Sequence, residues 1–233
     1  MNNNINEDQF QKLSKFHSSS WALWSDKFNK KGCLESNPKD IYNFLSTKLK
    51  FLKNDIVLLG LNHSSFKINK SSNLNSQNSI PFAPFETFHT ASHSGDGRLK
   101  RYIQEGDLKN FKGSYMTNLS EEIDSNSHNV NILPRDFDYL YEQLNILKAK
   151  IISIICLGGE VFTNMKKNFN ITKPRIIKIT STEFSINNFS TRFRDLKLNV
   201  FQVYHHSSRG CCNQILREQL KFINNFELNQ NNL

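Results

Sequence analysis

The sequence predicts an α/β protein, a three-layer α/β/α domain built on a central, mainly parallel four-stranded sheet. Three observations carry this expectation. Short, continuous apolar runs recur along the chain, as in strands covered on both faces. Segments with helical spacing separate them, the order that a parallel sheet with crossover helices requires. The runs at 55–61, 113–119 and 199–203 each lead into polar residues, and in a parallel sheet such ends all face the same way.

Taken in order, the polar ends at about 1–7 and 228–233 have little to bury and are expected to be frayed or disordered margins of one domain spanning 1–233. Apolar and aromatic residues at helical intervals predict helices over 8–16 and 38–51, with Pro38 suited to a first turn. Trp21 and Trp24, between them, suit packing anchors, with DNA contact as the alternative. Residues 55–61 read as the first buried strand, which runs into the polar turn Gly60-Leu61-Asn62-His63-Ser64-Ser65. Residues 67–79 read as a surface loop. The two prolines and three phenylalanines of 81–89 predict an irregular segment with exposed rings. A basic helical stretch over 98–103 follows Gly95-Asp96-Gly97, and 113–119 is the second strand.

Residues 134–150 have helical periodicity through Phe137, Leu140, Tyr141, Leu144 and Leu147, and 151–157 form the third strand. Gly158-Gly159 opens a helix through Met165. An extended piece near 176–179 and a helix over 186–196 are expected next. The fourth strand, 199–203, leads into Tyr204-His205-His206-Ser207-Ser208-Arg209-Gly210, and a further helix begins near Cys211.

Thirty Lys+Arg against 21 Asp+Glu give a net charge of +9, which favours a polyanionic partner such as DNA; a lysine-rich solvated surface is the bland alternative. Cys33, Cys156, Cys211 and Cys212 show no C-x2-C spacing and the chain has no apolar leader, so a reducing, cytoplasmic setting is expected. No apolar run is long enough to span a bilayer, and no membrane partner is expected. A monomer is expected.

At the strand ends the sequence resembles the uracil-DNA glycosylase superfamily. Gly60-Leu61-Asn62-His63-Ser64 is similar to that family's first active-site motif, G-Q-D-P-Y in the uracil-specific enzymes and G-I-N-P-G in the mismatch-specific branch. Tyr115-Met116-Thr117-Asn118-Leu119 resembles its Y-I-T-N-I motif, and His205-His206-Ser207-Ser208-Arg209 its H-P-S-P-L motif. Residues 155–161 resemble the family's third strand entering its helix. The ordered set covers about 55–220.

The resemblance implies a metal-free hydrolysis of the bond between a base and deoxyribose, with the base flipped out of DNA. Asn62 would hold the attacking water, since an amide, unlike the Asp of the uracil-specific enzymes, is no strong base. His205 would donate to the pyrimidine O2, a contribution of the kind worth about 2.7–4 kcal/mol. Asn118 would pair with the polar edge of the base, and Phe88, or alternatively Phe85, would stack on its face. Ser64 stands where the uracil-specific enzymes carry a Tyr that excludes C5 substituents. With His63 beside it, this position suits uracil or a C5-substituted pyrimidine such as hydroxymethylcytosine or its glucosylated form, in base-excision repair or phage defence.

Ser65, Ser207 and Ser208 would contact phosphate, Arg209 would fill the gap left in the duplex, and Arg98, Lys100 and Arg101 are further phosphate candidates, each with a solvated loop or helix face as its alternative. His63 and His206 depart from the family's prolines. The cysteine spacing supplies no iron–sulfur ligand set, and no cofactor is expected.

Other readings stay open. His205, His206, Cys211 and Cys212 contain zinc-ligating residue types but not the usual spacing, and no metal is expected. Asp96 is an alternative catalytic carboxylate or a turn residue. Gly158-Gly159 is a poor nucleotide-binding fingerprint. The rival from another class is a catalytically inactive, glycosylase-like module that binds DNA or protein.

Overall fold

Continuous apolar runs place three strands at the middle of one sheet: β2 (Ile56–Gly60), β3 (Tyr115–Asn118) and β4 (Ile151–Leu157). The structure, a computed structural model, describes residues 4–24, 38–62, 84–89, 95–105, 108–122, 129–179, 184–205 and 212–230. With β1 (Ser20–Trp21), β5 (Arg175–Lys178), β6 (Ser185–Phe193) and β7 (Leu196–Val203), these strands form a seven-stranded mixed sheet in the order β1-β3-β2-β4-β7-β6-β5. Strands β3, β2, β4 and β7 are mutually parallel, whereas β1, β6 and β5 pair antiparallel at the two sides. The expectation of four strands therefore describes only the parallel centre of a larger sheet.

Side chains alternate across a strand, so each central strand feeds two cores. On one face Val57, Leu59, Tyr115, Ile154, Cys156 and Val200 pack with α1 (Glu7–Leu13), α2 (Pro38–Ser46), α4 (Pro134–Leu147) and α5 (Gly159–Asn168). On the other, Ile56, Leu58, Met116, Ile155, Phe201 and Val203 pack with α3 (Gly95–Lys100) and α6 (Cys212–Gln230). The three-layer α/β/α arrangement follows from the sequence as read.

Three segments differ from the sequence expectation. Residues 186–196, expected to be helical, form most of β6 and the turn into β7, with Arg194 at a left-handed φ of 56°. Ile186, Phe189, Phe193 and Leu196 recur at three- and four-residue intervals and imitate a helix. Pairing with β7 and ring contacts of Phe189 with Phe162, at 5.4 Å, and of Phe193 with Phe169, at 5.2 Å, override that local pattern.

The amino-terminal margin is also tied down from Asn4 onward. Asn4 bridges Lys53, Ile5 is buried, and Asn6 caps α1 by exchanging 2.9 Å hydrogen bonds with Gln9. This capping box satisfies donors that the helix start leaves over. At the other margin α6 continues to Gln230, so part of the expected tail is helical.

Candidate functional site

Register carries the polar strand ends to one edge of the sheet. Gly60 of β2 is paired with Asn118 of β3, and Leu157 of β4 with Val203 of β7. The ladder continues beyond the strands: Leu119 N donates to Gly60 O at 2.9 Å, Ser120 N to Leu61 O at 2.8 Å and Gly158 N to Val203 O at 3.0 Å. Asn62 and His205 each stand two residues beyond the carboxyl end of a parallel strand, where open α/β sheets place their ligands.

Asn118 and Phe88 meet over Gly60. A Cβ on Gly60 would overlap Asn118 Oδ1 and stand 3.4 Å from Phe88 Cζ, so the bare glycine leaves room for both side chains. Both are nearly sealed from solvent, Asn118 at 3% exposure and Phe88 at 5%.

Phe88 is held there in a left-handed conformation, φ 66°, which costs a non-glycine residue about 1–3 kcal/mol and persists only when its surroundings over-determine it. Those surroundings are visible. Trp24 Nε1 donates to Phe88 O at 3.2 Å, Thr87 Oγ1 donates to His17 O at 3.0 Å, and a His89 ring nitrogen lies 3.1 Å from Trp21 O. Trp21 and Trp24 are therefore buried supports of this segment.

Phe85, the alternative stacking residue, belongs to the opposite face. It is fully buried against Phe10 at 4.8 Å and Tyr42 at 6.0 Å between ring centroids. Neither Phe85 nor Phe88 has the exposed ring expected of a Pro-rich loop; local composition could not register hydrogen bonds to partners some 65 residues away.

His205 is exposed, and its ring lies over Gly158: a Cβ there would stand 3.3 Å from His205 Cδ2. Gly158 has φ 121°, a conformation that side chains rarely adopt. Tyr204, exposed and adjacent, donates its backbone N–H to Gln219 Oε1 of α6 at 2.9 Å, which fixes the chain as it leaves β7. Asn62 is half-buried.

Beneath β3 lies a buried polar network that the sequence reading did not register. Tyr115 OH and Thr117 Oγ1 donate to Gln143 Oε1 of α4 at 2.7 and 2.8 Å, and the Ser18 and Thr117 hydroxyls are 3.0 Å apart. Burial pushes the Tyr115 phenol well above its ordinary value, so it stays a neutral donor. Burial likewise pushes up the Cys156 thiol, which makes it an inert core group beside the site.

The cationic candidates separate. Arg98 on α3 is half-buried, and Arg101, in the π-helical turn that continues α3, is exposed. Lys100 is only 2% exposed and engaged within the fold, which corrects its assignment as a phosphate contact. His63, Ser64, Ser65, Ser207, Ser208 and Arg209 lie outside the described residues, as do His206 and the side chain of Asp96. Among the described residues no group of three or more His, Cys, Asp or Glu side chains is placed to hold a metal, and no helix is long and apolar enough to cross a membrane.

Compared with known proteins, the chain matches no protein-family model and no curated protein.

The arrangement offers a carboxamide and a ring meeting over a glycine, with a second carboxamide and an imidazole on the same edge of the sheet. To grip a flat, polar heterocycle by its face and edge, the Asn118 amide and the Phe88 ring, 3% and 5% exposed, must part over Gly60. The set contains donors for a leaving group and an amide for a water.

Proposed function

We propose that the protein is a monofunctional DNA glycosylase, which extrudes a modified pyrimidine and hydrolyses its N-glycosidic bond to leave an abasic site. The observation that carries this reading is the meeting of Asn118 and Phe88 over Gly60, on the strand-end edge that also bears Asn62 and His205. A stacking ring and a carboxamide edge are what recognition of a flipped base requires.

The chemistry assigns the remaining groups. As the C1′–N1 bond breaks, its electron pair leaves with the base and positive charge develops on the sugar. His205 donates to the pyrimidine O2 and stabilises the departing anion, while Asn62 orients the water whose oxygen bonds to C1′. The water's proton passes to solvent or to the released base. The net charge of +9 draws DNA to the protein, with Arg98 and Arg101 as phosphate contacts and Ser65, Ser207, Ser208 and Arg209 as further ones. Uracil or a C5-substituted pyrimidine, hydroxymethylcytosine or its glucosylated form included, is the substrate, with Ser64 and His63 beside the C5 position, in repair or in phage defence.

The test incubates purified protein with oligonucleotides carrying uracil, a thymine mismatch, hydroxymethylcytosine or glucosylated hydroxymethylcytosine, and identifies free bases by mass spectrometry. Release from at least one, lost in Asn62→Ala and His205→Ala while DNA binding persists, supports the enzyme. No release from any substrate, with DNA binding intact, assigns the protein to a non-catalytic binding class instead.

A further inference from the structure

Beyond His205, on the side away from Asn118, lies a cavity of about 490 Å³, within the size range of small-molecule sites. Among its lining residues Ser185, Asn187 and Gln202 come from the β6–β7 pair, Tyr204 and His205 from the chain just past β7, Gly159 from the start of α5 and Gln219 from α6. Among the described residues no lining side chain is a carboxylate, an ammonium or a guanidinium, which suits a neutral ligand.

The polar groups are ordered. Gln219 is committed at both ends, accepting from Tyr204 N at 2.9 Å and donating to Ser185 O at 3.0 Å, and so fixes the wall. Asn187 Nδ2 donates to Gln202 Oε1 at 2.9 Å, which ties two carboxamides into one unit. Whichever way that pair is turned, a mutual hydrogen bond leaves one carbonyl and one amino group for a ligand. Gly159 keeps the corner open, because a Cβ there would stand 3.3 Å from Gln202 Nε2. Tyr204, 43% exposed, adds a ring to the rim.

A neighbouring acceptor and donor beside an exposed ring match a nucleobase, which carries an adjacent donor and acceptor on its edge and a face that stacks. Three strand spacings separate Asn118 on β3 from His205 on β7, about 14 Å at the usual spacing, so the cavity lies a short step along a strand whose extruded base the proposed function places at the edge that bears Asn62 and His205.

We infer that this cavity is a second nucleobase subsite, which takes an unstacked base flanking the extruded one. The inference rests on the glycosylase reading for the identity of the strand, but binding alone can test it. Asn187 and Gln202 hold the base edge and Tyr204 its face; none of the three takes part in the hydrolysis.

The experiment scans fluorescein-labelled single-stranded oligonucleotides in which one nucleotide at a time is replaced by an abasic analogue, and measures their affinity for the full chain. Omission of a base at one flanking position is expected to weaken wild-type binding by about tenfold. The Asn187→Ala, Gln202→Ala double variant, with its thermal midpoint as the check on folding, is expected to bind the intact strand about tenfold more weakly and to ignore that omission.

Equal wild-type affinity for every abasic position, or no binding to any oligonucleotide, overturns the subsite. Sensitivity to a C5 hexose on the substrate base in place of the flanking base also overturns it. Base release measured in parallel keeps the failures apart. Release without flanking-base dependence of binding leaves the glycosylase standing and removes the subsite; the reverse result removes the glycosylase and leaves the subsite.

Discussion

Asn118 Oδ1 lies where a side chain on Gly60 would begin. The glycine does not serve a turn here; it is a strand residue whose missing Cβ is the space that Asn118 and Phe88 share. Gly60→Ala is expected to displace the Asn118 amide and to lower base release by about 10–100-fold, the order of a lost base-edge contact. The obstacle is the end of a side chain and not backbone, so the stability cost stays at about 1–3 kcal/mol. Single-turnover release and thermal unfolding of the same preparation check both, and full-rate release by a folded variant would mean that Asn118 does not touch the base.

Gly158 and His205 form a second such pair. An alanine at 158 must adopt φ near 121°, at a cost of about 1–3 kcal/mol, and its Cβ would press on the imidazole at 3.3 Å. Gly158→Ala is therefore expected to lower the thermal midpoint by about 2–12 °C for a chain of this size and to slow base release more than it weakens DNA binding. Calorimetry and a release assay read the two effects. A variant with an unchanged midpoint would contradict the strained geometry.

These two glycines show where the sequence was legible. Residues 151–157 match β4 because a strand covered on both faces has no alternative to a continuous apolar run, and 55–61 and 113–119 bracket β2 and β3 for the same reason. Asn62, Asn118 and His205 could be singled out because they stand at or just past the ends of β2, β3 and β7. The space over Gly60 could not, since it depends on which strand lies beside β2. Gln202, half-buried, follows Leu198 and Val200 at the two-residue strand period of β7, a polar residue in the register of two buried apolar ones. The helix-like spacing of 186–196 hides that signal, because it conceals β6 and the wall that Asn187 supplies.

Gln143 accepts two hydrogen bonds from buried donors, Tyr115 OH and Thr117 Oγ1. Gln143→Leu strands the Tyr115 hydroxyl, while Thr117 Oγ1 keeps Ser18 as a partner, and at about 1–3 kcal/mol for an unsatisfied group the expected loss is about 1–3 kcal/mol, a fall of about 2–12 °C in midpoint. Adding Tyr115→Phe removes the stranded hydroxyl, so the double variant is expected to recover part of the loss. A double-mutant cycle by denaturant unfolding measures the coupling, and strict additivity would rule the network out as a source of stability.

Alkaline pH should reveal the buried phenols. Tyr115 is raised by burial, and Tyr139 by burial and then by its 2.6 Å bond to Glu121; Cys156 is raised by burial alone. A folded-state value above the unfolded one means that the native state holds its proton longer. The stabilisation is complete below the unfolded value, about 10 for a phenol and about 8.5 for a thiol, and is lost as pH rises from there toward the folded value. Lys53 acts in the opposite sense: burial lowers its ammonium, so stability rises with pH up to about 10.5 and offsets the cysteine's share. Above about pH 10.5 the phenols are unopposed; the fully buried Tyr115 steepens the loss by up to about 1.4 kcal/mol per pH unit, and the half-buried Tyr139 by less. Urea midpoints between pH 8 and 11.5 are expected to hold and then fall, with a shallower fall in Tyr115→Phe; identical slopes in the two proteins would show that Tyr115 is accessible to water.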